Sequence, residues 1–154
     1  MIHIALWEPE IPPNTGNIAR LCAATGTTLH LIGRLGFQLD DRNLRRAGLD
    51  YWPSVIIHQH LNFEAFQDTV LKPRSARLFC FSAHAAKPYT AVRYQAGDVL
   101  LFGSESHGLP QSLLDLNPEQ TLTIPMLTKN VRSLNLSTTA GIVLYEALRQ
   151  LHNW

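Results

Sequence analysis

The sequence is poor in the features that mark several large classes of protein. It has only two cysteines, Cys22 in a helical pattern and Cys80 in an apolar run, which predicts buried free thiols and not a disulfide, as is usual in a reducing cytoplasm. No apolar run approaches the roughly 18 to 20 residues of a membrane helix. Met1 leads directly into a strand pattern without a basic leader. We therefore expect an unprocessed cytoplasmic protein with no membrane partner.

An excess of charge and the common nucleotide motifs are also missing. The formal net charge is +1 over 154 residues, so composition alone does not indicate a nucleic-acid binder. Neither G-x-G-x-x-G nor G-x-x-x-x-G-K-[ST] occurs, which leaves a dinucleotide site or a P-loop without local support. The histidines suggest no metal-ligand set with cysteine, and we expect solvent-facing imidazoles and no metal at His58, His60, His84 and His107.

Strand and helix patterns alternate along the whole chain. A length of 154 residues with 45% hydrophobic content favours one domain, residues 1–154. Short apolar runs predict buried strands at Ile2–Leu6, Leu29–Ile32, Val55–Ile57, Leu78–Phe81, Val99–Phe102 and Leu122–Ile124. Helical signals run from a cap at Asn14 or Thr15 to Gly26, near Asp41–Ala47, over Asn62–Leu71, after Pro110 and from Ser137. This order predicts an α/β fold with a mostly parallel sheet and helices on both faces.

Three polar, turn-rich segments stand where a strand ends and a helix begins. They read PPNTGNIAR from Pro12, LFGSESHGLP from Leu101 and IPMLTKNVRSLNLS from Ile124. Such positions are where α/β proteins place their sites. The third segment can offer backbone N–H groups, short hydroxyls and an amide to one small molecule, so it is predicted to be a ligand loop.

Together these segments resemble the three motifs of the SPOUT class of RNA 2′-O-methyltransferases. WEPEIPPNTGNIARLCAATG, LGFQLDDRNLRRAGLDY and YEALRQL further resemble the TrmL/YibK-like tRNA (cytidine/uridine-34) 2′-O-methyltransferases, so the likeness covers nearly the whole chain. It implies a C-terminal trefoil knot that binds S-adenosyl-L-methionine, and a homodimer formed through the last helix. The implied substrate is the wobble nucleotide in the anticodon loop of certain tRNAs, and the resemblance implies leucine tRNAs.

The resemblance also implies which residues hold the cofactor. Gly103 and Gly108 flank Glu105 and allow tight turns, although an isolated G-x-E usually marks a plain turn with an exposed glutamate. The implied cofactor-binding residues are Phe81, Gly103, Glu105, Ile124, Met126, Ser133 and Leu134.

Arg20 and Asn17 are the first candidates for catalysis. They lie three residues apart on a polar helix edge, so they can act on one ribose or phosphate. Because a guanidinium stays protonated, Arg20 is expected to orient and stabilise charge instead of acting as a base. Ser133 and Asn135 are the second candidates. The alternative for Arg20 is a solvated arginine on the helix surface. The alternative for Ser133 and Asn135 is that they form hydrogen bonds within the loop or cap the following helix.

A basic cluster, Arg42, Arg45 and Arg46, is predicted to contact RNA phosphates, against the alternative of a solvated helix face. Tyr145, on a second stripe of the last helix, is predicted to reach RNA at a neighbouring site across the dimer; the alternative is a half-buried core tyrosine. Two other functions remain open from sequence. One is 2′-O-methylation of another tRNA or rRNA nucleotide, and the other is a nonenzymatic RNA-binding module.

Overall fold

Parallel strands form one central sheet in a computed structural model that describes residues 1–40, 42, 44, 46 and 51–154. Within these residues the sheet has seven strands in the order β3-β2-β1-β6-β4-β7-β5, and every neighbouring pair is parallel. The strands are β1 His3–Trp7, β2 Thr28–Ile32, β3 Ile57–His60, β4 Leu78–Phe81, β5 Lys87–Pro88, β6 Val99–Phe102 and β7 Thr121–Thr123. The predicted parallel sheet is confirmed.

Helices connect the strands and cover both faces of the sheet. α2 runs through three consecutive stretches, the middle one with wider π-helical turns. The bounds are α1 Pro12–Thr25, α2 Phe63–Phe66 with Gln67–Leu71 and Lys72–Arg74, α3 Gln111–Leu116 and α4 Leu136–His152, with short 3₁₀ turns at Trp52–Ser54 and Pro118–Gln120. Arg42, Leu44 and Arg46 are helical, and the rest of the helix predicted near 41–47 lies outside the described residues.

Burial explains why the apolar runs became strands. β2, β4 and β6 are buried at every position, as expected for parallel strands that have helices on both faces. One core packs α1 and α4 against the sheet, and the other packs α2 and α3 against the opposite face. Cys22 and Cys80 are buried and free, and burial raises the pKa of each thiol to about 12. No helix of the described residues is long and apolar enough to cross a membrane.

Several predicted boundaries are wrong. α1 begins at Pro12 and not after a cap at Asn14 or Thr15; its N-cap is Ile11, which makes no side-chain cap bond. The two prolines that follow have no N–H to cap, so a polar cap residue is not required there. The helix does end at Gly26, whose φ of 67° is left-handed, as predicted.

The strand errors have local causes. Val55 is not in β3, because the 3₁₀ turn Trp52–Ser54 delays the strand to Ile57. β7 ends at Thr123, which places Ile124 in the following loop. β5 was not predicted, since a two-residue strand that contains a proline carries no alternating or apolar pattern.

A row of histidines crosses three neighbouring strands. The Nδ1 atom of His3 lies 3.0 Å from Nε2 of His30, and Nδ1 of His30 lies 3.0 Å from Nε2 of His60. His30 is only 2% exposed. Burial, reinforced by the nearby His3 and His60, lowers the pKa of His30 to about 3. His60 is half-buried within this row, so its prediction as a solvent-facing imidazole was wrong, whereas His58, His84 and His107 are exposed.

Mild acid is therefore expected to weaken the fold. In the unfolded chain His30 titrates near its ordinary value of 6.5, but in the folded protein only near 3. Between these values the unfolded state binds more protons. The free energy of unfolding is therefore not reduced by His30 above about pH 6.5, and it falls as the pH drops towards 3. His30 lowers it by up to about 1.4 kcal/mol per pH unit. Urea unfolding from pH 7 to pH 5 measures the slope, which should flatten in His30→Leu and persist in the exposed control His84→Ala. An unchanged slope in His30→Leu would contradict this assignment.

Candidate functional site

A cleft of about 790 Å³ opens where β4, β6 and β7 end at their carboxyl edge. The volume falls within the roughly 300–1,000 Å³ typical of small-molecule sites. Its walls come from all three polar segments. They include every residue predicted to hold the cofactor and the candidate Asn135, namely Phe81, Gly103, Glu105, Ile124, Met126, Ser133, Leu134 and Asn135.

Both aromatic and polar side chains line the cleft. Phe81 and Phe102 stack on each other, with ring centroids 4.9 Å apart and planes inclined by 18°. Small hydroxyl and amide side chains line it at Ser82, Ser104, Ser133 and Asn135. Such a surface suits a ligand with one flat apolar part and one polar or charged part.

The turn after β6 is closed too tightly to accept a side chain at Gly103. The N–H of Gly108 donates to the carbonyl of Ser104 at 2.9 Å, and Gly108 has a left-handed φ of 66°. A Cβ atom built on Gly103 would lie 2.1 Å from the carbonyl carbon of Gly108 and 2.3 Å from the nitrogen of Leu109. These are backbone atoms, so no side-chain rotation can relieve the overlap. Gly103 is the residue that lets the turn close against the cleft.

Gly103→Ala should therefore open the turn. We expect a loss of about 1–3 kcal/mol in the free energy of unfolding and strongly weakened binding of S-adenosyl-L-methionine, the cofactor that the resemblance implies. Urea unfolding and titration calorimetry measure the two effects. Gly26→Ala is a control away from the cleft: its left-handed φ strains any side chain, but the new methyl group meets no atom within 4 Å, so it should cost stability without weakening cofactor binding. Cofactor affinity unchanged in Gly103→Ala would exclude a role for this turn in the cleft.

Glu105 ties the turn to the start of α1. Its carboxylate accepts hydrogen bonds from the backbone N–H of Glu10 at 2.7 Å and of Ile11 at 3.2 Å, and from the side-chain amide of Asn14 at 3.4 Å. Its negative charge thus lies at the amino end of α1, where it interacts favourably with the helix dipole. The plain exposed turn that a lone G-x-E suggests is not what forms here.

Asn14, in the first motif segment, bonds to residues of the other two, and this role was not predicted from the sequence. This buried side chain accepts a hydrogen bond from the amide of Asn135 at 3.0 Å. The amide oxygen of Asn135 in turn accepts from the N–H groups of Ser137 at 2.9 Å and Thr138 at 3.3 Å, which caps α4. A chain of bonds thus runs from Glu105 through Asn14 to Asn135. Asn14 also lines the cleft.

The other candidates lie away from the cleft of their own subunit. Asn17 and Arg20 are exposed on α1 and do not line it. The guanidinium carbon of Arg20 lies 4.9 Å from the ring centroid of Tyr51. Tyr145 is 48% exposed on α4, beside Trp154. Arg42 and Arg46 are exposed, whereas Arg45 lies outside the described residues.

Among the described residues, no group of three or more His, Cys, Asp or Glu is placed to hold a metal ion. The side chains that line the cleft offer hydroxyls, amides, the Glu105 carboxylate, the Arg132 guanidinium and the imidazoles of His84 and His107.

A family model decides what kind of protein has this cleft. Residues 1–145 match the model of the SpoU rRNA Methylase family. The chain belongs to this family. The three segments that line the cleft all fall within the matched residues, so the resemblance drawn from them is confirmed.

Curated relatives in the family match the chain from end to end. It is 51% identical over 154 residues to a tRNA (cytidine(34)-2′-O)-methyltransferase of Photorhabdus asymbiotica, covering 98% of this chain and 94% of that protein. It is 49% identical over 152 residues to the protein of the same name from Escherichia coli K12, with the same coverage.

Solved structures agree with the fold. One that concerns 2-OH methylation of C/U34 on tRNA superposes with a TM-score of 0.93 at 49% identity, covering 100% of this chain and 98% of that one. The AviRb methyltransferase of Streptomyces viridochromogenes, solved with AdoMet, superposes with a TM-score of 0.89 at 25% identity, covering 99% of this chain and 61% of that one. The fold is that of the SPOUT methyltransferases, and the trefoil knot is implied by this likeness.

Proposed function

We propose that this protein transfers a methyl group from S-adenosyl-L-methionine to the ribose 2′-hydroxyl of the wobble nucleotide, position 34, of tRNA. One observation carries the proposal: the chain is about half identical, along its whole length, to enzymes named for methylation of cytidine 34. The wobble nucleotide is cytidine or a modified uridine, and leucine tRNAs are the proposed acceptors. The protein works as a single domain, residues 1–154, in the cytoplasm.

The residues of the cleft suit this cofactor. The apolar side chains of Phe81 and Phe102 line one part of the cleft and can receive adenine, and the hydroxyl and amide groups around Ser133 can bind the amino-acid part. When bound, S-adenosyl-L-methionine supplies an electrophilic methyl group on a sulfonium. The cleft residues that hold it in the proposal are Phe81, Gly103, Ile124, Met126, Ser133 and Leu134, with Glu105 fixing the loop between them.

The chain's own residues prepare the nucleophile. A 2′-hydroxyl is a weak nucleophile, so transfer needs alignment and stabilisation of the negative charge that develops on its oxygen. Arg20 provides a permanent positive charge for this purpose, and Asn17 binds the same ribose or phosphate. The new bond joins the ribose oxygen to the methyl carbon as the bond from carbon to sulfur breaks, and the hydroxyl proton leaves to phosphate or water. Ser133 and Asn135 position the substrate.

Two subunits make the complete site in this proposal. Arg20 and the cleft of one chain are separate surfaces, and α4 presents the exposed aromatic pair Tyr145 and Trp154. A homodimer formed through α4 brings α1 of one subunit to the cleft of its partner. Arg42, Arg45 and Arg46 contact RNA phosphates, and Tyr145 contacts RNA across the dimer. With a net charge of only +1, binding rests on a few such contacts and weakens with salt.

The reaction can be tested by mapping the product. Incubation with bulk tRNA that lacks 2′-O-methylation at position 34, followed by nuclease digestion and mass spectrometry, is expected to place one ribose methyl group at that position. Methylation of a different nucleotide would support the alternative substrate. Binding of S-adenosyl-L-methionine and RNA without any transfer would support the nonenzymatic module. Transfer abolished by a chelator would contradict a metal-free reaction.

A further inference from the structure

Arg20 contacts an aromatic ring to which the proposed mechanism assigns no role. Its guanidinium carbon lies 4.9 Å from the centre of the Tyr51 ring, within the roughly 6 Å at which a cation is attracted to the face of an aromatic ring. We propose that Tyr51 is a positioning residue for the transfer reaction, and that its ring face holds the Arg20 guanidinium in the orientation that the ribose requires. This inference rests on the proposed role of Arg20.

The two residues come from separate, well-anchored parts of the chain. Arg20 is on α1, which packs on the sheet through Ile18 and Cys22. Tyr51 precedes the 3₁₀ turn Trp52–Ser54, and its carbonyl accepts a hydrogen bond from the N–H of Ser54 at 2.9 Å. Trp52 packs against the core on the side of α1. The ring therefore has a fixed base from which to limit the motion of a long, exposed side chain.

The chemistry of the contact suits a ring that orients the Arg20 guanidinium better than one that only covers its side chain. An exposed arginine samples many rotamers, and each one excluded before substrate binds reduces the entropy lost in reaching the reactive geometry. A ring face attracts the charge without accepting a hydrogen bond, so the guanidinium keeps its five N–H donors for ribose and phosphate oxygens. A carboxylate partner would hold the arginine as well, but it would also neutralise the charge that the developing oxyanion needs.

The test compares two substitutions of Tyr51 in the full-length protein. Tyr51→Phe keeps the ring face and should transfer methyl within about twofold of the parent rate. Tyr51→Leu keeps an apolar side chain but removes the attraction, and should lower the single-turnover rate at saturating tRNA and S-adenosyl-L-methionine by roughly 2- to 5-fold, the scale of such a contact at an exposed site. Cofactor affinity and the urea midpoint should be unchanged in both, since the ring is 38% exposed and lies outside the cleft residues.

A double-mutant cycle with Arg20→Ala separates this inference from the proposed function. If Tyr51 acts through Arg20, Tyr51→Leu should have no further effect in the Arg20→Ala background. A full additional loss in that background, or a Tyr51→Phe as slow as Tyr51→Leu, would overturn the inference, because Tyr51 would then act directly or through its hydroxyl. A slow Arg20→Ala with a fast Tyr51→Leu would overturn it too, leaving the role of Arg20 intact. A fully active Arg20→Ala would instead reject the role of Arg20 itself.

Discussion

Arg20→Ala is expected to lower the rate of methyl transfer by roughly 10²- to 10⁴-fold, the usual scale for the loss of one catalytic or charge-stabilising group. The affinity for S-adenosyl-L-methionine should stay nearly unchanged, because Arg20 does not line the cleft of its own subunit and in the proposed dimer it acts on the ribose and not on the cofactor. Single-turnover transfer and titration calorimetry measure the two quantities. A rate effect without an affinity effect is what an interaction formed mainly in the transition state produces.

Arg93→Ala is the matched control for the lost charge. Arg93 is also an exposed arginine, but it lies in the loop that precedes β6. This loop is at the amino ends of the strands, whereas the cleft is at their carboxyl ends. Arg93→Ala should transfer methyl like the parent protein. A normal rate for Arg20→Ala would move the catalytic role to Ser133 or Asn135. An equal loss in Arg93→Ala would mean that general electrostatic attraction of RNA, and not activation at the ribose, is what Arg20 provides.

The strands that the sequence predicted best are those whose signal is burial alone. Leu78–Phe81 and Val99–Phe102 match β4 and β6 residue for residue, because a central parallel strand is apolar at every position and is bounded by polar turns. The error at the start of α1, unlike the strand errors, falls where a distant contact is involved. The start of α1 depends on the Glu105 carboxylate, which approaches Glu10 and Ile11 from 95 and 94 residues away. No local pattern in PPNTGNIAR can contain that information.

The sequence predicted which three segments come together at the cleft, but it did not reveal the hydrogen bonds that join them. Residues in the three loops share a place in the fold because parallel strands bring their carboxyl ends to one edge, and resemblance supplied their identity. Asn14 was missed since Asn17 lies nearer to Arg20 in sequence. A signal was present: Asn14 falls four residues before Ile18 and eight before Cys22, on the buried stripe of α1, where an amide requires a partner. Asn135 is that partner.

His30 shows a similar limit of prediction from the local sequence. It sits in the run TLHLI, where its neighbours predict a buried strand correctly. The sequence does not reveal that β1 and β3 place His3 and His60 on either side of it, because strand order is set by the whole fold. Buried polar groups find partners across a sheet as well as along the chain, and such partners come from strands that are remote in sequence.

An anticodon stem-loop with a 2′-deoxy nucleotide at position 34 is expected to accept no methyl group. The proposed nucleophile is the ribose 2′-oxygen, so its removal abolishes transfer completely instead of slowing it. Binding should change far less, because one lost hydroxyl contact costs only about 0.5–1.5 kcal/mol and the phosphate contacts remain. The deoxy loop should therefore act as an inhibitor with an affinity within about tenfold of the normal loop. Filter binding and transfer from labelled S-adenosyl-L-methionine measure the two properties.

The position of the deoxy substitution makes this experiment specific. A stem-loop with the deoxy nucleotide at the neighbouring position, and ribose at the wobble position, is the matched control and should be methylated normally. If the control is inactive and the wobble analogue is active, the target is the neighbouring ribose. If both analogues accept methyl, the acceptor is a base atom or another ribose, and the assignment of Arg20 to a developing ribose oxyanion fails with it. Only loss confined to the wobble analogue fits a cleft that receives one splayed loop nucleotide and transfers to its 2′-oxygen.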